Sequence, residues 1–360
     1  MSATPDLSAV VEAWSERVKS AAAARAPLRI VGGGTKDFYG QELLGERFDT
    51  SAYAGIVDHD PTELVVTVRC GTPLAALEHA LADCGQMLGF EPPRFGAATT
   101  VGGCIAAGLS GPRRLSAGAV RDLVLGVRVL DGRGDALAFG GRVMKNVAGF
   151  DVSRLMAGSL GTLGIVLEVS LRCLPLPKVE ATRVFELPPD EAIRRMNEWG
   201  GRPLPVTATW YGEGKLHVRL SGVESAVAAA AREIGGSSLD DADRFWSSVR
   251  DQQHAFFARD VGSLWRLSLK STAPHAELDC AQAIEWGGAL RWVWAEPSGD
   301  GERIRRWARE HGGHASVYRG DKSTGAFQPL DPAMLGIHRA LKSSFDPAGI
   351  FNRARMYPDF

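Results

Sequence analysis

Ala98-Thr99-Thr100-Val101-Gly102-Gly103, then Val120-Arg121-Asp122-Leu123-Val124-Leu125-Gly126, then Lys145-Asn146-Val147-Ala148-Gly149-Phe150-Asp151, then Gly158-Ser159-Leu160-Gly161-Thr162-Leu163-Gly164-Ile165 punctuate residues 96–164. Glycine recurs there where apolar runs give way to loops, which is how a backbone comes close to a large anionic ligand. Upstream, the short apolar run Leu28-Arg29-Ile30-Val31 leads into a second cluster, Gly32-Gly33-Gly34-Thr35-Lys36. That cluster is neither of the two familiar nucleotide loops. A Rossmann turn opens a helix, and Phe38-Tyr39-Gly40 ends any helix early; a Walker loop needs Gly-Lys-Ser/Thr, and here the order is Thr-Lys. What remains is a row of small residues whose amides converge on a pyrophosphate. Read with the Thr99–Gly103 turn, it predicts a dinucleotide held mainly by the main chain. Each charge-assisted bond is worth roughly 1.5–3 kcal/mol, so a handful would dominate affinity without any basic field.

No such field exists. Lysine and arginine number 41 against 42 acidic residues, a formal net charge of −1, which argues against nucleic acid or an anionic membrane surface as partner. With 360 residues and 45% hydrophobic content, the chain has material for two cores. The start Met1-Ser2-Ala3-Thr4-Pro5-Asp6 lacks a basic region and an apolar run, so no secretory signal is expected. Five scattered cysteines without a C-x-x-C predict reduced thiols in a cytoplasmic protein and no metal or iron–sulfur site. Electrons collected on this chain must therefore leave through another molecule.

Periodicity predicts a helix from Ser8 to Ala24 and strands at Leu28–Val31, Glu63–Cys70 and Thr162–Cys173. A helix follows Thr72-Pro73, and a hairpin turns at Asp131-Gly132-Arg133-Gly134. Leu174-Pro175-Leu176-Pro177 reads as an extended linker, which places a domain boundary near residue 176. Beyond it a hairpin around Gly212-Glu213-Gly214, helices at Val223–Ile234, Asp240–Phe257 and Arg303–His311, and strands at Ser263–Lys270, Ala289–Ala295 and Ala315–Arg319 predict an antiparallel sheet with helices on one face. The fold class is α+β: a cofactor domain over residues 1–176, an α+β cap domain over 177–335, and a tail, 336–360, returning to the first domain. Eight of the nine tryptophans follow the linker, a density read as part core and part subunit interface.

These stretches, with Arg29 to Gly40 and the tail Phe345-Asp346-Pro347-Ala348-Gly349-Ile350-Phe351-Asn352, resemble the vanillyl-alcohol-oxidase superfamily of flavoproteins, whose FAD-binding domain is called PCMH-type. Within it the chain is most similar to the smaller flavin-domain subunits of bacterial glycolate oxidase complexes. The resemblance implies FAD as cofactor, held by Val31, Gly32, Gly33, Gly34, Thr35, Lys36, Thr99, Thr100, Val101, Gly102, Gly103, Gly111, Gly118, Gly164, Ile165 and Val166. It implies support for oxidation of glycolate to glyoxylate beside a larger FAD-linked catalytic subunit and an iron–sulfur subunit, with any attachment to the inner membrane made through those partners.

Departures from the family pattern narrow the reading. Thr35 and Ala98 stand where covalent members carry histidine and cysteine, which implies non-covalent FAD. The Gly-Glu-His-Gly and His-x-x-x-His-Gly motifs of hydroxy-acid oxidisers are absent, the usual Gly-Ser-Glu-Gly-Thr has become Gly158-Ser159-Leu160-Gly161-Thr162, and the tail ends Asn352-Arg353-Ala354-Arg355. Substrate chemistry is therefore assigned mainly to the partner. The nearest substitute base is His311-Gly312-Gly313-His314, whose plainer reading is a glycine-capped helix end with surface histidines. Arg266, Lys270, Arg291 and Arg319 lie on predicted strands with charge suited to a carboxylate. Two further readings stay open: a self-sufficient FAD-dependent 2-hydroxy-acid dehydrogenase using His311 and His314, and a non-catalytic assembly subunit with a vestigial flavin pocket.

Overall fold

The computed structural model describes residues 7–141, 151–259, 261–296, 300–358 and 360. The expected motif at Lys145–Phe150 lies outside them.

In the first half, the helix Leu7–Ala24 buries Val11, Val18 and Ala21 along one stripe. The strand Leu28–Val31 follows and pairs in parallel with Glu46–Asp49. A five-stranded antiparallel sheet runs Ile56–Asp60, Val65–Arg69, Ile165–Arg172, Val124–Leu130, Ala136–Gly140 in spatial order. Its middle strand, Ile165–Arg172, is buried at six of eight positions because both faces are covered. Charged residues Asp58, His59 and Asp60 line the outer strand, which discourages edge pairing.

The second sheet has eight strands, all antiparallel, in the order Ser237–Ser238, Val179–Glu186, Lys215–Gly222, Val206–Gly212, Gln282–Glu285, Leu290–Ala295, Ser263–Ser268, His314–Arg319. Period-two alternation gives it two apolar faces. One face puts Tyr211, Leu216, Val218, Leu220 and Ile284 under the helices Pro189–Gly200 and Glu224–Ile234. Farther along it, Trp265, Leu267, Val293 and Val317 meet the helix Asp300–Glu310. The other face presents Trp210, Leu264, Trp292, Trp294 and Tyr318 to Tyr39, Ala107, Leu109 and Leu160 of the first half. Of the eight tryptophans after the linker, Trp199, Trp210, Trp246, Trp265, Trp286, Trp292 and Trp294 are buried core and Trp307 is half-buried. They fill both faces of a wide sheet, and little indole surface is left for a partner.

Three expectations change. The helix expected from Asp240 to Phe257 stops at Arg250, since Gln252 turns to φ +55° and a separate helical turn, Ala255–Phe257, begins. This break brings Phe256 and Phe257 against Trp210, with ring centroids 5.8 and 5.6 Å away. The Leu174–Pro177 stretch is extended but not free: Leu174–Pro175 pairs with Gln86–Met87. Helices Pro189–Gly200 and Pro332–Phe345 and the strand Val179–Glu186 went unpredicted, their apolar positions being diluted by charge.

Candidate functional site

A cleft opens where Leu28–Val31 ends. One wall is Gly32–Asp37, the facing wall includes Thr100, Gly102, Gly103 and Ala107, and the far end is formed by Leu160, Gly161 and Gly164–Val166. Of the sequence-predicted residues, Val31, Gly32–Lys36, Thr100, Gly102, Gly103, Gly164, Ile165 and Val166 line it.

The two glycine loops do different work. Amides of Gly32, Gly33, Gly34, Thr35 and Lys36 donate to no protein carbonyl among the described residues. Five donors in a row facing a cleft need an acceptor from outside the chain, which is the demand a pyrophosphate meets. In the partner turn the donors are already taken. Val101 N donates to Thr72 O at 2.9 Å, Gly102 N to Cys70 O at 2.8 Å, and Gly103 N to the Thr100 Oγ1 cap at 3.3 Å. The helix Val101–Ala107 is therefore a wall, and its glycines serve close packing: a methyl on Gly102 would lie 2.7 Å from Cys70 Cβ. Thr35 and Thr99 hydroxyls, 3.0 Å apart, tie the two loops together.

Electrostatics sharpen the asymmetry. Lys36 reaches into the cleft, with Nζ 3.7 Å from Cys104 Sγ and 5.5 Å from the Phe95 ring centroid, and has no carboxylate partner among the described residues. Arg29 is neutralised by Asp37 at 2.7 Å. Cys104 is buried, and desolvation raises its thiol pKa, against the lowering pull of Lys36.

Other predicted residues stand elsewhere. Thr99 and Val101 are buried behind the wall. Gly111 is held by Phe90 O and accepts the Trp286 indole N–H at 3.1 Å; a methyl there would lie 2.4 Å from Glu91 O. Gly118, at φ +86°, ends the short helix Arg114–Ala117 beside Asp122. Neither His311 nor His314 lines the cleft. His311 bonds through Nδ1 to Trp307 O, 2.8 Å away in its own helix. His314 opens the last strand, and burial followed by Arg266 lowers its pKa.

Sequence reasoning missed the clamp that joins these walls. Asn352 accepts from Ile30 N at 2.8 Å and donates to Leu160 O at 2.6 Å. Arg355 donates to the carbonyls of Asp37, Gln41 and Tyr39, so it grips the segment directly after the open amides. Desolvation takes its pKa down to about 10. The sequence signals were the tail expected to return to the first domain and its departure from the family pattern at Asn352-Arg353-Ala354-Arg355.

Glycine loops of this geometry beside a small antiparallel sheet, capped by a wide second sheet, define an FAD-binding flavoprotein of the PCMH type. The "FAD binding domain" family matches residues 9–140. Chains of alkyldihydroxyacetonephosphate synthase superpose with a TM-score of 0.64 over 94% of this chain and 73% of theirs, at 15% identity, so they share the fold. "Glycolate oxidase subunit GlcE" of Escherichia coli (strain K12) is 44% identical over 97% of both chains. This chain belongs to that glycolate oxidase subunit family of FAD-linked oxidoreductases. "Glycolate oxidase subunit GlcD" of Bacillus subtilis (strain 168) is 35% identical over 35% of this chain and 27% of its own length. Among the described residues no helix is long and apolar enough to cross a membrane.

Proposed function

We propose that this chain is the second FAD-carrying subunit of a glycolate oxidase (glycolate dehydrogenase) complex, supporting oxidation of glycolate to glyoxylate and passing electrons to its partners. The row of open amides from Gly32 to Lys36 carries this reading, because a chain that only assembled a complex would leave no such donors uncommitted. FAD fits the residues present. Gly32–Lys36 and Lys36 Nζ would hold the pyrophosphate, Gly164–Val166 the adenosine end, and Ala107 and Leu160 would border the ring system. Bound there, FAD supplies two-electron acceptance from a substrate C–H bond and single-electron release to a carrier.

The chain's own residues position and shield. Asn352 and Arg355 fix the loop from both sides, and Ala107 and Leu160, which line the cleft, pack behind it into the apolar face of the eight-stranded sheet. Among the described residues no histidine lines the cleft to take a hydroxyl proton, which supports placing substrate deprotonation in the larger flavin subunit; an iron–sulfur subunit would take the electrons. Attachment is non-covalent, since Thr35 and Ala98 offer no imidazole or thiolate to the ring. The residue assignments above and the division into a cofactor domain to residue 176, a cap to 335 and a returning tail belong to the same proposal.

The visible spectrum of the purified chain, before and after acid precipitation, tests it. A flavin spectrum released into the supernatant is expected. Flavin retained in the pellet would overturn non-covalent attachment, and no flavin after reconstitution with excess FAD would leave an assembly subunit.

A further inference from the structure

The four cations singled out on predicted strands separate by what they already touch. Arg291 is committed to the carbonyls of Gly288 and Ala273 at 2.8 and 2.7 Å. Arg319 donates to Gln252 at 2.8 Å and lies over Phe38, 4.9 Å from the ring centroid. Lys270 is exposed beyond the end of its strand. The Arg266 guanidinium is half-buried and has no side-chain hydrogen bond or ion pair among the described residues; it stacks 5.2 Å from the Trp286 ring centroid.

A second such cation meets it there. Arg114, from the first half, lies 4.1 Å from the same centroid, and its side chain likewise has no hydrogen bond or ion pair among the described residues. Two like charges from two halves of the chain thus share one indole with no counter-charge between them. Burial, then Arg266, brings the Arg114 pKa down to about 10. Two acids reach the pair: Asp122 acts on Arg114 but is outweighed by burial and neighbouring arginines, and Glu285, which acts on Arg266, is buried and accepts the Trp292 indole N–H at 2.6 Å; burial pushes the Glu285 pKa up to about 7, so it is a poor counterion.

The platform is built, not incidental. Trp286, Gly287 and Gly288 run consecutively through positive φ, at 52°, 65° and 106°, a conformation a tryptophan adopts only under constraint. Trp286 Nε1 bonds to Gly111 O across the seam at 3.1 Å, and Gly287 N donates to Thr209 Oγ1 at 2.8 Å. A guanidinium stacked by its face keeps its N–H edge free for a planar, two-oxygen acceptor.

We propose that Arg114 and Arg266, both stacked on Trp286, form a carboxylate-binding site for a small organic acid at the seam between the two halves. Resting on the reading above, the site would hold the acid end of a 2-hydroxy acid within electrostatic reach of the buried phenols Tyr39 and Tyr318. It extends this chain's role from carrying FAD to recognising substrate or product.

Oxalate, which cannot give up a hydride, is the probe, titrated calorimetrically into the FAD-loaded full chain with acetamide as the neutral control. Saturable oxalate binding is expected, weakened ten-fold or more in Arg114→Met and in Arg266→Met, and less in Arg→Lys at either site, where charge stays but the fork is lost. Wild-type affinity in both Met variants, or no saturable binding by the parent chain, would overturn the site. Should the Met variants fail to fold, the Lys variants decide, and unchanged affinity in both overturns it. Glycolate-driven flavin bleaching separates the two proposals. Oxalate binding lost in the variants while the parent flavin stays oxidised with glycolate keeps the site and keeps substrate oxidation in the larger subunit; no flavin bound after reconstitution sinks the FAD-carrying reading and leaves the site to the oxalate titration alone. Glycolate bleaching of the parent flavin sinks the placing of substrate oxidation in the larger subunit, and bleaching at the same rate in both variants sinks the site as well.

Discussion

A methyl group on residue 33 would lie 1.6 Å from the Ala98 carbonyl oxygen, and one on residue 32 would lie 2.3 Å from Thr100 Oγ1. At residue 33 a side chain would meet backbone, which no rotation relieves; at residue 32 it would meet the Thr100 hydroxyl, which is engaged in capping Gly103 N. Glycine at these positions lets the two loops touch each other, which in turn fixes the spacing of the open amides. Gly33→Ala is therefore expected to lose FAD as completely as Gly33→Asp, even though alanine brings no charge toward a pyrophosphate. Gly34→Ala, with 3.6 Å of clearance and only a φ of +69° to object, should cost about 1 kcal/mol and keep most of its flavin. Flavin absorbance per mole of the three purified variants compares them directly; a yellow Gly33→Ala protein would show that the loop contact does not set the site.

At the level of elements, the tail acts as a strap. Phe351 bridges in parallel to Leu28, with Leu28 N bonded to Ile350 O at 2.7 Å and Asn352 N to Leu28 O at 3.0 Å. Behind it, Lys342 is buried on Asp346, Thr162 O and Phe351 O, all within 2.9 Å, so the helix Pro332–Phe345 is anchored at its end by a paired buried charge. Asn352 then joins the strand end at Ile30 to the loop at Leu160. Replacing it by alanine leaves the Ile30 amide and the Leu160 carbonyl unsatisfied, at about 1–3 kcal/mol each. Asn352→Ala should lower both the melting temperature and FAD affinity, read by thermal denaturation and flavin titration. A melting loss with unchanged affinity would make the strap structural only.

On the scale of the whole molecule, charge is concentrated at the seam between the sheets. Glu91 and Arg113 of the first half engage Arg219 and Glu180 of the second at 3.0 and 2.5 Å. Burial works to raise the Glu91 pKa, but Arg219 and Arg113 outweigh it and hold it low. Glu285, facing the same seam, goes the other way: desolvation carries its pKa from 4.5 to about 7. The folded chain thus binds this proton more tightly than the unfolded one. Its stabilising effect is full below the unfolded value and is lost as pH rises through about 7, amounting to roughly 3 kcal/mol at most. Denaturant melts at about pH 5 and about pH 8 should show the parent losing stability relative to Glu285→Gln over that interval. Parallel pH profiles for the two proteins would remove Glu285 as the titrating group.

Much of this molecule is local in origin. The hairpin at Asp131–Gly134, the strands Leu28–Val31 and Ile165–Arg172, the helix Leu7–Ala24 and the paired glycine loops all follow from period, turn chemistry and the missing Cβ, each set within a few neighbouring residues. Cofactor class was legible for the same reason, because an amide row needs only a run of small residues. Which loop keeps its amides free was not, since the donors of Val101 and Gly102 are taken by Thr72 and Cys70, whose nearness depends on sheet packing. The same holds for Gly111, for Asn352 and Arg355 more than 300 residues from the loop they clamp, and for Arg114 meeting Arg266 on Trp286. Period and composition report how a residue meets its neighbours along the chain; such contacts arise only when two separately patterned sheets close on one another.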